Sequence, residues 1–252
     1  MHPAKFVTSL LLMLALALGA GLARAETVGC TPITALPAVI TTQGIYCFTG
    51  HLSTAITSGV AIDIQTSNVV LDLNAFKLGG LAGGPATTAI GIHALNRQNI
   101  TIKNGTVRGF LRGIQLETSG TSQGHVVEDI RADQNTFVGI EVAGAGNIVR
   151  NNQVVATGGT TVFGADIGAA GIFVVGTGPR VLNNDVIKTV KQGSGTATGI
   201  FLSLTAVLAV NNRITEADRG LLYFFSTGKY RDNLTFAVTT PYTGGTDAGN
   251  NN

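Results

Sequence analysis

Four acidic or basic side chains of this sequence are suited to chemistry and recur at related positions: Asp63, His93, Glu117 and Glu141. Two neighbouring carboxyl groups serve as general acid and general base, because their mutual repulsion raises the pKa of one of them. An aspartate such as Asp63 orients the imidazole of a histidine such as His93. These four residues are the predicted catalytic group. Glu117 and Glu141 are alternatively predicted to bind Ca²⁺, which prefers clustered carboxylate oxygens, and no cofactor is required otherwise.

Three further side chains, Gln115, Phe173 and Phe201, are predicted to contact a substrate. A sugar-binding groove combines polar groups that bond hydroxyls with aromatic faces that cover C–H surface. The opposing interpretation is that the polar residues are ordinary neighbours on adjacent strands. In that case the long segments 156–170 and 188–198 cover the phenylalanines, whereas in a real site they form the walls of a cleft.

Two arginines, Arg108 and Arg112, come just before the unit that holds Glu117. The forked guanidinium group binds carboxylates well, so these arginines are predicted to neutralise an acidic sugar near Glu117. The alternative is that both are solvated at a bend.

A repeat sets the positions of all these residues. A glycine followed by an aliphatic residue recurs at irregular intervals, and in five of six units an asparagine follows that glycine by thirteen positions. Stacked asparagines form ladders of amide hydrogen bonds, so these asparagines are predicted to be structural. The glycines are Gly91, Gly113, Gly139, Gly171, Gly199 and Gly220, and the asparagines are Asn104, Asn152, Asn184, Asn212 and Asn233.

Each unit carries three short runs with alternating aliphatic residues, which favours strands over helices. One unit reads Ile140 to Val142, then Ile148 to Arg150, then Gln153 to Val155. Three strands per coil, stacked on the coils above and below, predict an all-β parallel β-helix of about seven coils. Because side chains alternate along a strand, the second residue after each repeat glycine is expected to point outward.

The predicted organisation has four parts. A basic start, an apolar run from Phe6 to Leu18 and small residues ending at Ala25 indicate a signal peptide over residues 1–25. Residues 26–54 are predicted to form an N-terminal cap closed by a Cys30–Cys47 disulfide, since an exported chain with only two cysteines most simply pairs them. The parallel β-helix is expected over residues 55–242 and a flexible tail over residues 243–252.

Composition limits the partners. Charged residues make up 12% of the chain and the net charge is +2, with basic residues scattered singly, so no nucleic-acid partner is expected. No membrane span is expected after removal of the signal peptide, because the apolar run is shorter than a bilayer requires. The expected location is the periplasm or the outside of a bacterial cell.

The segments Asn68 to Asn74 and Asn99 to Val107 resemble repeats of the right-handed parallel β-helix proteins. That group includes pectate lyases, alginate lyases and epimerases, and periplasmic NosD-like proteins, and the similarity is greatest to small exported bacterial members. The resemblance covers about residues 55–238. It implies a right-handed coil, which agrees with the preference of parallel crossovers, and polysaccharide ligands. The sequence lacks the Asp-Pro-His-Asp, Arg-x-Pro-x-x-Arg and Gly-His-Gly motifs of members with assigned activities.

Two functions remain open at this point. The first is a protein that binds polysaccharide on the face formed by the first strand of each coil, and modifies it as a lyase, hydrolase or epimerase. The second is a non-catalytic envelope or surface protein whose rigid rod serves adhesion or assembly. Fold alone does not decide between them.

Overall fold

The computed structural model describes residues 29–163 and 168–252. These residues form short strands with one turn of 3₁₀ helix over Leu81–Gly83. The strands are β1 (Thr31–Ile33), β2 (Ala38–Ile40), β3 (Gly44–Phe48), β4 (Leu52–Ser53), β5 (Val60–Ile64), β6 (Val69–Asp72), β7 (Lys77–Gly79), β8 (Ile90–Leu95), β9 (Ile100–Arg108), β10 (Arg112–Glu117), β11 (Val126–Asp133), β12 (Val138–Ala143), β13 (Ile148–Arg150), β14 (Gln153–Gly158), β15 (Ala170–Val175), β16 (Arg180–Leu182), β17 (Asp185–Val190), β18 (Thr198–Val210), β19 (Arg213–Arg231), β20 (Leu234–Thr243) and β21 (Thr246–Asp247).

Every strand pairs in parallel with a strand of the next coil, so the chain winds into a parallel β-helix of about eight turns. The predicted fold is confirmed. Its first sheet holds β2, β5, β8, β10, β12, β15, the start of β18, the middle of β19 and the end of β20. The second sheet runs from β1 and β3 through β6, β13 and β16 to β21. The third runs from β4 and β7 through β14 and β17 to the start of β20.

The core is a stack of aliphatic side chains, one layer per coil. On the first sheet the residue after each repeat glycine is fully buried, and burial of one such side chain contributes about 1.5–3 kcal/mol. This layer comprises Ile62, Ile92, Ile114, Ile140, Ile172, Ile200 and Leu221.

The repeat glycines are required because the backbones of adjacent coils approach closely at this corner. A Cβ atom on Gly91 would lie 2.4 Å from the carbonyl oxygen of Gly113, and one on Gly139 would lie 2.6 Å from that of Gly171. Real Cβ atoms do not approach backbone oxygens this closely, so alanine would force neighbouring coils apart. The conserved geometry of the corner thus explains the glycine that starts each unit.

A row of buried asparagines runs between the second and third sheets. The side-chain amide of Asn152 donates to Oδ1 of Asn184 at 3.0 Å, and the same bond links Asn184 to Asn212 and Asn212 to Asn233. Each Oδ1 also accepts the backbone N–H of the preceding asparagine, as from Asn152 to Asn184 at 3.0 Å. The ladder therefore satisfies backbone and side-chain groups that water cannot reach.

Asn104 does not belong to this row, contrary to the prediction. Ile130, whose N–H bonds to Asn152, pairs in register with Gly105 instead. Asn104 occupies the preceding corner position, with a left-handed φ of 58°, and its amide donates to Oδ1 of Asp72 at 3.1 Å. The coil that starts at Gly91 has one more residue before the ladder position, so an equal spacing from the glycine led to the wrong asparagine.

The N-terminal segment is more regular than a cap. Strands β2, β3 and β4 pair with β5, β6 and β7, so residues 38–53 form a complete first coil. Only β1 lies outside it, against β3. The predicted disulfide is confirmed: Cys30 is bonded to Cys47, with a Cα–Cα distance of 5.8 Å. The predicted signal peptide, residues 1–25, lies outside the described residues.

The C-terminal tail also differs from its prediction as a flexible segment. Strand β21 pairs with the end of β19, and Asn251 extends the ladder by accepting the amide of Asn233 at 3.1 Å. The amide of Asn251 in turn donates to Oδ1 of Asp247 at 2.6 Å. Within the described ranges, no helix is long and apolar enough to span a membrane.

Candidate functional site

The outward residues of the first sheet form a single row, here called the outer row. Strand register pairs His93 with both Asp63 and Gln115, and pairs Glu141 with both Gln115 and Phe173. The row thus has the order that the repeat predicts, and its polar half lies in the earlier coils. Its members are Asp63, His93, Gln115, Glu141, Phe173, Phe201 and Leu222.

In the polar half, the histidine lies between two carboxylates. Nδ1 of His93 is 2.9 Å from Oδ1 of Asp63, whose other oxygen accepts the amide of Gln65 at 2.7 Å. A carboxylate at this distance is satisfied by a proton on Nδ1, which leaves Nε2 facing Oε2 of Glu117 at 3.7 Å. The second contact is too long for a hydrogen bond, so Nε2 remains able to exchange a proton with a ligand.

Gln115 links the two glutamates. Its amide donates to Glu117, which lies two residues further along the same strand, and to Oε2 of Glu141 on the next coil at 3.4 Å. The amide therefore holds the two carboxyl groups in one network. The predicted pair is brought together, while its catalytic role stays a prediction.

Glu141 is the most perturbed carboxyl group of the row. Burial raises its pKa above the usual range, although Nε of Arg112, at 2.7 Å from Oε2, acts in the opposite direction. The guanidinium group of Arg112 also lies over the ring of Phe137, 5.0 Å from its centre. A carboxyl group that keeps its proton more readily than free glutamate is suited to donate it to a ligand.

A groove of about 600 Å³ opens where the polar half meets the aromatic half. The rings of Phe173 and Phe201 are stacked, with centres 4.7 Å apart and planes 12° from parallel. Loop residues 168–169 and 194–196 form part of its wall, as the cleft interpretation of these segments predicts. The other lining residues are Arg112, Phe137, Val138, Glu141, Ala170, Thr198, Arg219 and Leu222.

Arg219 and Phe137 line the groove but were not predicted from the sequence. No ion pair of the Arg219 side chain is found among the described residues, whereas Arg112 is paired with Glu141. Arg219 directly precedes Gly220, just as Arg112 directly precedes Gly113. This shared position before the repeat glycine is a signal that could have identified it. Phe137 comes from a corner turn, where the repeat makes no statement.

The prediction for Arg108 is wrong in its placement. Its guanidinium group bonds to Asp133 at 3.1 Å and to Gln134 at 2.8 Å, at the end of the third sheet. Arg112 does reach the first sheet, but it pairs with Glu141 and not with Glu117. The corner between Arg108 and Arg112 turns the chain from one sheet to the next, so nearness in sequence did not bring the two side chains to one face.

The predicted calcium ligands, Glu117 and Glu141, have little company. Among the described residues, no group of three or more His, Cys, Asp or Glu side chains is arranged to hold a metal ion. Arg112 already supplies a positive charge to Glu141. The calcium site therefore stays a prediction that rests on two carboxylates.

A second histidine, His125, is buried at the corner between the first and second sheets. Its Nδ1 accepts the backbone N–H of Ile100 at 3.2 Å, so the proton lies on Nε2, which donates to Oγ of Ser122 at 2.6 Å. Burial lowers the pKa of His125 to about 4. This histidine is neutral over the physiological range, and its contacts indicate a structural role.

Comparisons of this chain with protein-family models, with curated proteins and with solved structures found no match. The function is therefore argued from the groove and the outer row.

Proposed function

We propose that this chain is an exported polysaccharide-binding protein whose ligand lies in the groove and along the outer row. The observation that carries the proposal is the stacked pair Phe173 and Phe201 beside the Arg112–Glu141 ion pair. Flat aromatic faces cover the C–H faces of sugar rings, and the charged groups next to them bond the hydroxyl or carboxyl groups at the ring edge. The sequence resemblance to carbohydrate-active parallel β-helix proteins supports the same ligand class, and the disulfide is typical of an exported chain.

Chemistry on the bound glycan is a second candidate function, favoured by the raised pKa of Glu141. A protonated Glu141 in the groove is placed to donate a proton to a ligand oxygen, and Glu117 supplies a second carboxyl group in the same network. His93 lies one coil further along the row, with its Nε2 directed to that network. These residues would act together as acid and base groups.

The test is a screen of the purified protein against acidic and neutral polysaccharides, with and without Ca²⁺. Binding is measured by retention on immobilised glycan, and turnover by the absorbance of unsaturated products and by new reducing ends. Retention that falls in Phe173→Ala and persists in Leu95→Ala supports the groove, because Leu95 is an exposed apolar residue of the same sheet outside it.

Turnover that disappears in Glu141→Gln, while retention stays, supports the acid role. If turnover requires Ca²⁺, the glutamates are also tested as metal ligands. If no glycan is retained and a protein from envelope extracts binds instead, the polysaccharide proposal is wrong and the adhesion or assembly function takes its place.

A further inference from the structure

The aromatic half of the outer row continues beyond the groove. Phe224 lies 5.6 Å from Phe201, measured between ring centres, and Phe225 lies 4.4 Å from Phe224. The four rings form an unbroken stripe that leaves the groove and crosses the first sheet diagonally to its corner. Exposure rises along it: Phe173 and Phe201 are half-buried, whereas Phe224 is 47% and Phe225 is 87% exposed.

The corner position that Phe225 occupies is held by small residues in earlier coils. Gly144 and Gly176 follow the paired residues Ala143 and Val175. In the last two coils the corresponding residues are Leu204 and Phe225, which are exposed and have left-handed φ angles of 77° and 48°. Bulky side chains are disfavoured in this conformation, and an exposed ring gains little from burial, so the fold itself does not account for Phe225.

We infer that this stripe, from Phe173 to Phe225, is an extended binding surface for a long glycan chain that runs from the groove towards the C-terminal coils. The inference rests on the proposed function and adds the length and direction of the ligand. From the coil of Glu141 to that of Phe224 there are three coil steps of about 4.8 Å, or ~14 Å along the rod. A single sugar ring in the groove cannot reach Phe225, whereas a polymer can.

A glycan suits the stripe because the stripe is continuous with the groove. Phe201 belongs to both, so one ligand can contact them together. A row of uncharged rings offers stacking faces at successive coils, which suits a ligand with repeated C–H faces. The charged groups that bond polar substituents stay at the groove end, with Arg112 and Glu141.

The experiment compares retention of polygalacturonate, alginate and xylan with retention of their disaccharides, for wild type and Phe225→Gly. Glycine tolerates the left-handed φ angle, so this variant is expected to be at least as heat-stable as wild type. The expected result is that wild type retains polymer more tightly than disaccharide. Phe225→Gly should weaken polymer retention about tenfold and leave disaccharide retention unchanged. Phe236→Ala is the matched control, because Phe236 is 76% exposed but lies on the third sheet.

The remaining outcomes separate this inference from the proposed function. If wild type binds polymer and disaccharide equally, or if Phe225→Gly keeps the preference for polymer, the extended surface is wrong and the groove still binds glycan. If no glycan of either length is retained, both proposals fail. A change in sedimentation of Phe225→Gly, with glycan retention unaltered, would assign the stripe to contact with a second copy of the chain.

Discussion

The buried asparagine ladder and the outer row are two columns of the same repeat with opposite behaviour. In the ladder the residue type is constant over successive coils, and Asn152, Asn184, Asn212 and Asn233 are all at most 2% exposed. In the outer row the residue changes at almost every coil, from acidic and basic groups to phenylalanine. Both columns have the same coil-to-coil spacing, so the difference reflects their surroundings and not their geometry.

The comparison shows what repetition is for in this fold. Inside the corner, each coil presents the same backbone groups to the next, and only a side chain with one donor and one acceptor in the right places satisfies them. On the outside, water satisfies the backbone and side chains alike, so the row is free to carry chemistry. A column that varies on a fixed scaffold is therefore where a function is expected.

The largest effect is expected from breaking the ladder at its centre. Asn184→Ala removes the acceptor of the Asn152 N–H and the donor to Val149 O and Asn212 Oδ1. Several buried groups lose their partners, so the free energy of unfolding should fall by about 3–5 kcal/mol. Urea unfolding followed by circular dichroism measures it.

The neighbouring Asn183→Gly is the control, because Asn183 is exposed and glycine keeps its left-handed φ of 56°. Its unfolding free energy should stay within about 0.5 kcal/mol of wild type. Equal losses in the two variants would contradict the contrast between the buried and the exposed column.

The second effect concerns the other buried corner and depends on pH. Because burial holds the pKa of His125 at about 4, below the usual 6.5, the unfolded chain binds a proton there before the folded one does. The stabilisation is complete above pH 6.5 and is lost as pH falls towards 4, by about 3 kcal/mol.

His125→Gln keeps polar atoms at this place and cannot titrate. The difference in unfolding free energy between wild type and this variant should therefore shift against wild type on acidification. A difference that is constant between neutral pH and pH 4 would show that the histidine is not held neutral.

The third effect contrasts the two arginines of the groove. Arg112→Ala leaves the carboxylate of Glu141 mostly buried without its guanidinium partner, and should cost about 1–3 kcal/mol of unfolding free energy. Arg219→Ala removes no ion pair among the described residues, so its cost should stay within about 0.5 kcal/mol. Thermal unfolding of both variants at neutral pH measures the contrast, which equal losses would remove.

The smallest effect is the pH dependence of Glu141 itself. Since burial raises its pKa, folding favours the protonated form, and its contribution to stability is present at low pH and lost as pH rises through the raised pKa. Glu141→Gln lacks this loss, so wild type should become less stable relative to the variant as pH increases from the acidic range to neutral. The opposite slope would indicate that the Arg112 contact outweighs burial.

Much of the first sheet could be predicted from the sequence. The repeat glycines mark one corner, and the two residues that follow each of them take fixed inward and outward positions. The order of the outer row follows from that alone. The close backbone approach at Gly91 and Gly139 gives this signal its strength, since no other residue fits there.

Prediction becomes less accurate with distance from that corner. The coil that starts at Gly91 contains one more residue before the ladder, which displaced the assignment of Asn104. The first coil, residues 38–53, and the tail beyond residue 243 lack the glycine signal and were taken for a cap and a flexible end. The groove depends on loops such as residues 194–196, whose lengths vary between coils and whose course the repeat does not set.

The ladder also gives the rod an electrical direction. Every amide in it donates towards the later coil, from Asn152 through Asn184 and Asn212 to Asn233 and Asn251, so the side-chain dipoles add along the axis. The positive end of this row faces the C-terminal coil, where Asn251 donates to the carboxylate of Asp247. An anion at the positive end of aligned dipoles is what stabilises a helix N-terminus. Asp247 thus serves as a charged terminator, which gives the last coil an electrostatic reason to stay closed.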